Sequence, residues 1–485
     1  MAFTPGTTAL RGRLLTFLRA PQGPGDRDSY RYISDGLVVV TAGRITAVGN
    51  ASDLLPTLPA GMAVDHYPDS LILPGFIDTH IHFPQTQVIA SYGAQLMEWL
   101  EKYTFIEEQR YADHAHASRN ARFFLDELAR NGTTSAVVYG SVHPGSVKAL
   151  FTEAEARGVG LVAGKVMMDR HAPTALTDTA QTSYDHSKAL IGAWHGVGRQ
   201  RYAVTPRFAI TSTPEQLEAA GALLREHPGV YMQTHLSENH EEIRQVARLY
   251  PEATDYLDVY DRFGLLGDRS LFGHCIHLSE REMARMHETA SVAVFCPTSN
   301  LFIGSGLFDR AALENPARPV RLGLATDVGG GTSYSLLRTA GEGYKVLQLR
   351  GQSWPALAAF DLMTRGNAAA LGLTEEIGQI APGRYADLVV LDPSATPAMA
   401  HRRDVIQGDL EEELFLLMTL GDDRAVRATY IQGQRVHDRD AVIADTVALG
   451  IQRGLADIAT GRLVPHDEAM DELDASIEQA VRDSH

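Results

Sequence analysis

The sequence predicts an α/β fold: a (β/α)8 TIM barrel with a small composite β-sandwich domain built from both chain ends. Three observations carry that prediction. Short apolar strands alternate with helical stretches through the middle of the chain, and β-rich segments of similar texture lie near its two ends. Histidines and an aspartate recur where the central strands end.

Near the N-terminal end, TALRGRLLTFL, GLVVV and RITAVG are short apolar or β-branched runs punctuated by Gly, Pro and Asp, the pattern of strands joined by turns. The same texture returns in IGQIAPGRYADLVVLDP and RAVRATYIQGQRVHD. Two β-rich segments so far apart are best explained as pairing into one small domain, with the rest of the chain inserted between them. LILPGFIDTHIHF opens the insert, HASRNARFFLDELARNG reads as a helix, and TSAVVYG, SVKALFTEAEARG and VGLVAGKVMM continue the alternation. RYAVTPRF, VYMQTHLSE, SLFGHCIHL, SVAVFCP and VRLGLATD each read as a buried strand ending in polar residues. About eight such strands fit a barrel, which commonly takes roughly 250 residues as one domain. The expected units are 1–71 and 376–437 for the sandwich, 72–375 for the barrel and 438–485 for a helical tail. In that tail AVIADTVALGIQRGLADIA and HDEAMDELDASIEQAVRDS carry apolar spacing suited to packing on the body or on a partner subunit.

Composition narrows the function. The chain has 485 residues, 43 Lys and Arg against 60 Asp and Glu, and a net charge of −17, with no basic stripe, so a nucleic-acid partner is not expected. No apolar run approaches the roughly 18 residues of a membrane span. Cys275 and Cys296 are too few for a disulfide framework, and MAFTPGTTALRGRLLTFLRAPQG lacks a secretory pattern. A cytoplasmic protein is expected.

The chemistry lies at the strand ends. His80 and His82 stand two apart in an expected strand and so share a face. With His235 and Asp327 from later strand ends they make three nitrogens and one carboxylate, the donor set of a catalytic zinc site with an open position for water. Such an ion would lower the pKa of its water. Glu238, three residues after His235 in HLSE, suits a proton shuttle, although an acid there also suits the start of the SENHEEIRQ helix. His274 could be a further ligand, but an imidazole that orients the attacking water and stabilises the developing oxyanion is the better fit. His277 reads as a loop residue beside the site, and the two cysteines as buried structural thiols. His66, His114, His116, His143, His171 and His195 show no pattern beyond packing or surface roles.

LPGFIDTHIHFPQ, QTHLSEN, GHC, CPTSNLFIGSG and GLATDVGGGTSYS together resemble the amidohydrolase superfamily. HIHFPQ, WLEKYTF, GKVMMDRHAP and TPRFA resemble its guanine deaminases more specifically. The resemblance implies one zinc per subunit on His80, His82, His235 and Asp327, with Glu238 moving protons and His274 and Asp327 positioning the attacking water. It implies that Gln85, Arg207 and Phe208 bind guanine, that the C2 amino group is replaced to give xanthine and ammonia, and that the chain forms a homodimer. Some two-metal amidohydrolases bridge their ions with a carbamylated lysine, but Lys165 is followed by an apolar run and the single-ion donor set is already complete. Departures are His277, where some relatives carry an aromatic, the extra glycine beside Asp327 and a longer tail.

The rival readings are deaminases or hydrolases of adenosine-like thioethers, methylated purines, pterins or triazines, which would use the same zinc set. A barrel that only binds a ligand should have lost a metal or shuttle residue. A nucleic-acid editing enzyme would need a basic channel.

Overall fold

In the computed structural model, which describes residues 4–92 and 96–459, eight parallel strands form the expected barrel. In chain order they are Phe76–His82, Thr133–Tyr139, Gly160–Gly164, Arg201–Pro206, Tyr231–Leu236, Ser270–His274, Val292–Phe295 and Arg321–Leu324. Neighbours in sequence pair in parallel register, for example His235 with Gly273 and Leu236 with His274. Helices such as His114–Arg130, Pro144–Ala156 and Pro214–Glu226 return the chain between strands. The first carries its apolar residues at helical spacing and starts on Asp113, whose side chain accepts the Ala115 N–H. Ile77, Val137, Val162, Ala203, Tyr231, Leu271 and Val292, each from a different strand, belong to one buried cluster.

The last and first strands meet through side chains and loop backbone. Thr79 Oγ1 donates to Leu324 O at 3.0 Å, and Asp327 N donates to His80 O at 2.9 Å. Asn367 Nδ2 bridges Ile77 O and Leu324 O at 2.6 and 2.9 Å. Buried Asp78 accepts the backbone N–H groups of His80 and Thr326, each at 3.2 Å, and the Thr326 hydroxyl. These bonds close the barrel at the point where His80, His82 and Asp327 leave it.

The β-rich ends pair as expected. Their mixed sheet has seven strands in the order Gln434–Asp438, Val426–Ile431, Leu388–Leu391, Val64–Pro74, Thr8–Phe17, Tyr30–Thr41, Arg44–Asn50. The junction between the two ends is antiparallel, with Val389 opposite Leu73 and Val390 opposite Ile72. Leu10, Leu14, Val38, Val40, Ile72, Val390 and Tyr430 form the interior of this sandwich.

Two details differ from the strand pattern read in the sequence. VGLVAGKVMM is split into Gly160–Gly164 and Val166–Met167, the second pairing with Thr205 and Pro206. Asp327 lies beyond its strand, which ends at Leu324, on a left-handed residue (φ 50°). A second unit begins at Asp438, and the helix Arg439–Ala459 is what is described of it beyond that residue. The expected second helical stretch, HDEAMDELDASIEQAVRDS, lies outside the described residues. Among the described residues no helix is long and apolar enough to cross a membrane.

Candidate active site

The alternation of a strand sends His80 and His82 to one side, and later strand ends bring His235, His274 and Asp327 to meet them. Asp327 Oδ1 lies 3.3 Å from His80 Nε2 and 3.2 Å from His82 Nε2, while His82 Nε2 is 3.3 Å from His235 Nε2. Donor atoms about 2.0–2.1 Å from one tetrahedral ion stand about 3.3 Å apart, so this spacing is that of a ligand shell. His80 Nε2 is buried and no hydrogen bond satisfies it. The donor chemistry and the orphaned nitrogen both fit a divalent cation such as zinc. His274 also falls within reach, grouping with His80 and His235 and separately with Cys296 and Asp327. Cys296 is a poor donor because burial pushes its thiol well up, and Sγ lies against Val294 O at 3.7 Å.

Surrounding groups fix the imidazoles. His235 Nδ1 donates to Arg207 O at 2.7 Å, leaving Nε2 as the free nitrogen. His274 Nδ1 donates to Asn300 Oδ1 at 2.8 Å, which turns Nε2 toward Glu238 Oε2 at 3.3 Å and Asp327 Oδ2 at 3.8 Å. Burial drives His82 down to about 4 and His235 well below its ordinary range, so both stay neutral and able to donate a lone pair. Burial opposes the charge on Asp327, but His80, His82 and His274 around it hold its carboxyl well below the usual range. Glu238 behaves oppositely: burial first, then the Asp327 charge, push its carboxyl up to about 8, with Ser305 Oγ donating to Oε1 at 2.9 Å. A carboxyl that holds its proton near neutral pH can both deliver and accept one.

Glu238, His274 and Asp327 line a cavity together with His82, Gln85, Leu96, Trp99, Leu100, Arg207, Phe208 and His235. All the site residues expected from the sequence border this cavity except His80, which stands behind His82 and His235, with ring centroids 5.1 and 4.8 Å away. Phe208 meets the His235 ring edge-on at 6.4 Å. His277 stands beside the site, its Nε2 donating to Ser305 O at 2.9 Å and its ring 3.9 Å from that of His240. Lys165 is fully buried, paired with Asp178 and bonded to Val166 O at 3.0 Å. It belongs to none of the metal-competent groups found among the described residues.

Sequence reasoning missed the supporting residues Asp78, Asn300, Ser305 and Glu108. Asp78 sat in FIDTHIH, and Asn300 and Ser305 in CPTSNLFIGSG, segments already singled out, but without a role; Glu108 lay in none of them. Local pattern carries no sign of which distant side chain each of them meets.

A barrel with buried imidazoles and a carboxylate gathered at the C-terminal strand ends, and an acid poised beside them, defines a metal-dependent hydrolase. The sequence model of the amidohydrolase family matches residues 71–436, and the chain belongs to that family. It is 46% identical to the guanine deaminase of Escherichia coli (strain K12) over 433 residues, covering 89% of this chain and 98% of that protein. The solved E. coli guanine deaminase superposes with a TM-score of 0.86, covering 89% of this chain and 100% of that one. Guanine deaminase from Bradyrhizobium japonicum matches at 36% identity and a TM-score of 0.86, covering 89% and 99% of the two chains. Guanine deaminase from C. acetobutylicum, solved with guanine bound in its active site, matches at 26% identity and a TM-score of 0.79, covering 89% and 100%.

Proposed function

We propose that the chain is a guanine deaminase, converting guanine and water to xanthine and ammonia. The observation that carries this is the cavity itself. Its lining brings Glu238 and the imidazole–carboxylate cluster together with Arg207 and Gln85, side chains able to bind a purine edge. The likeness to guanine deaminases over nearly their whole length supports the same reading.

His80, His82, His235 and Asp327 would hold one zinc per subunit. When bound, that ion supplies Lewis-acid activation of the attacking water. Arg207 donates to the guanine carbonyl and Gln85 pairs with the adjoining edge, while Phe208 walls the base; together they present C2 to the cluster. Glu238 takes a proton from the attacking water, delivers it to ring N3 and then assists departure of the amine as ammonia. His274 and Asp327 orient the water, His274 through the Nε2 that faces the cluster while its Nδ1–H stays on Asn300. In this reading 72–375 is the catalytic unit, 1–71 and 376–437 frame it, and the protein works as a cytoplasmic homodimer.

The test is ammonia and xanthine release by zinc-loaded protein offered guanine, guanosine, adenine and cytosine. Release from guanine is expected, and Glu238→Gln is expected to lower kcat by about 10²–10⁴ with zinc content unchanged. Turnover of another base alone would place the error in the roles given to Gln85 and Arg207. A Glu238→Gln variant as fast as the parent would remove Glu238 from the proton path.

A further inference from the structure

Gln85 and Arg207 are anchored on a single carboxylate that touches neither the metal cluster nor the proton path. Glu108, 1% exposed and carried by the short helix Phe105–Gln109, accepts from Arg207 Nη1 through both oxygens, at 2.9 and 2.7 Å. Its Oε1 also accepts from Gln85 Nε2 at 3.1 Å. Phe105 of the same helix covers the Arg207 guanidinium, 5.5 Å from the ring centroid.

We infer that Glu108 is the positioning residue that sets the hydrogen-bond polarity of the base-binding wall, and so selects a purine carrying a carbonyl beside a ring N–H. A carboxylate has no hydrogen to donate, so only the NH₂ end of the Gln85 amide can face it. The carbonyl end is thereby turned away, against Gly329, where a Cβ would stand 1.9 Å from Gln85 Oε1. Gln85 borders the cavity, and with its NH₂ end held by Glu108 the group its amide has left for a ligand there is an acceptor. Arg207 can only donate, and pairing with Glu108 holds it beside Gln85. An acceptor next to a donor complements a substrate edge with N–H next to C=O. The N1–H and C6 carbonyl of guanine form such an edge. 2,6-Diaminopurine keeps the same leaving amino group at C2 but reverses both polarities, meeting donor with donor and acceptor with acceptor. This inference rests on the guanine reading above and adds the residue that enforces it.

The experiment compares kcat/KM for guanine and 2,6-diaminopurine in the zinc-loaded parent, Glu108→Gln and Glu108→Asp, with zinc content and thermal midpoint recorded for each. The parent is expected to prefer guanine by about 10⁴-fold, the scale reached by a site built around paired polar groups. Glu108→Gln gives Gln85 a partner that can donate or accept, so its amide is free to turn. Guanine turnover is expected to fall about 10- to 100-fold, mainly through KM, while the preference narrows at least about 10-fold. Glu108→Asp keeps the charge that Arg207 needs and is expected to fall between the two, and it supplies the ratio should Glu108→Gln not fold. Equal losses on both purines, leaving the preference intact, would reduce Glu108 to a structural support. A parent that releases no ammonia from guanine would overturn the guanine reading, and this inference with it.

Discussion

Gly273 shows how tightly the site is built at the scale of one residue. A Cβ there would stand 2.6 Å from His80 Cε1 and 2.9 Å from its Nδ1, so the absence of a side chain lets the imidazole rest on the strand that leads to His274. Gly273→Ala must displace His80 or distort that strand. Metal affinity is expected to fall by about 10- to 100-fold, the scale seen when a ligand loses its support. Competition against a chelator would measure it, and an unchanged affinity would mean that the ring has room to move. Ser237, His274, Cys275 and Asp327 add backbone strain, all with φ between 49° and 70°. Left-handed non-glycine residues are uncommon, and here they cluster where strands hand over to the loops of the site.

The helix His240–Leu249 illustrates how an element can serve the site from outside it. Its capping box pairs Asn239 with Glu242, and Glu242 Oε2 accepts the backbone N–H of Asn239 at 3.1 Å and of Glu238 at 2.9 Å. Tyr256 Oη holds the other oxygen at 2.8 Å. The cap therefore also holds the backbone that carries Glu238. Burial, and then the Glu238 charge, raise the Glu242 carboxyl to about 7. A carboxyl that is raised in the folded state contributes stability that is complete below its unfolded pKa of about 4.3 and lost as pH rises through the folded value. The stability of the parent relative to Glu242→Gln is thus expected to decline between about pH 4.5 and 8, by on the order of 3 kcal/mol at most. Urea denaturation across that window measures the decline, and parallel profiles for the two proteins would sink the assignment.

At the scale of the whole molecule, the sandwich is tied to the barrel by a buried ion pair. Arg199, just before the strand Arg201–Pro206, pairs with Asp387 at the start of the sandwich strand Leu388–Leu391, and the side chains are 6% and 3% exposed. Arg199 Nη1 reaches Asp387 Oδ1 at 3.1 Å and Gly158 O at 3.0 Å, while Gln432 N donates to the same Asp387 oxygen at 2.9 Å. Tyr385 lies 4.2 Å from the guanidinium. Arg199→Ala leaves a buried carboxylate without its counter-charge, so a loss of about 3–5 kcal/mol in stability is expected. A drop below about 1 kcal/mol would show that water or Gln432 takes over the role.

Much of this was legible along the chain because it depends on local repetition and short spacing. Strand–helix alternation identified the barrel, the similar texture of the two ends identified the sandwich, and the H-x-H pair placed two imidazoles on one face. These features need only the periodicity of a strand or helix and the chemistry of a side chain. The tertiary structure decided what lies far apart in sequence. Glu108 meets Gln85 and Arg207, Asn300 meets His274, and Asp78 meets Thr326 only after the barrel closes. Each of those contacts joins a residue to a partner on another strand, helix or loop. No local pattern encodes such pairings, because their geometry is set by packing of the whole barrel.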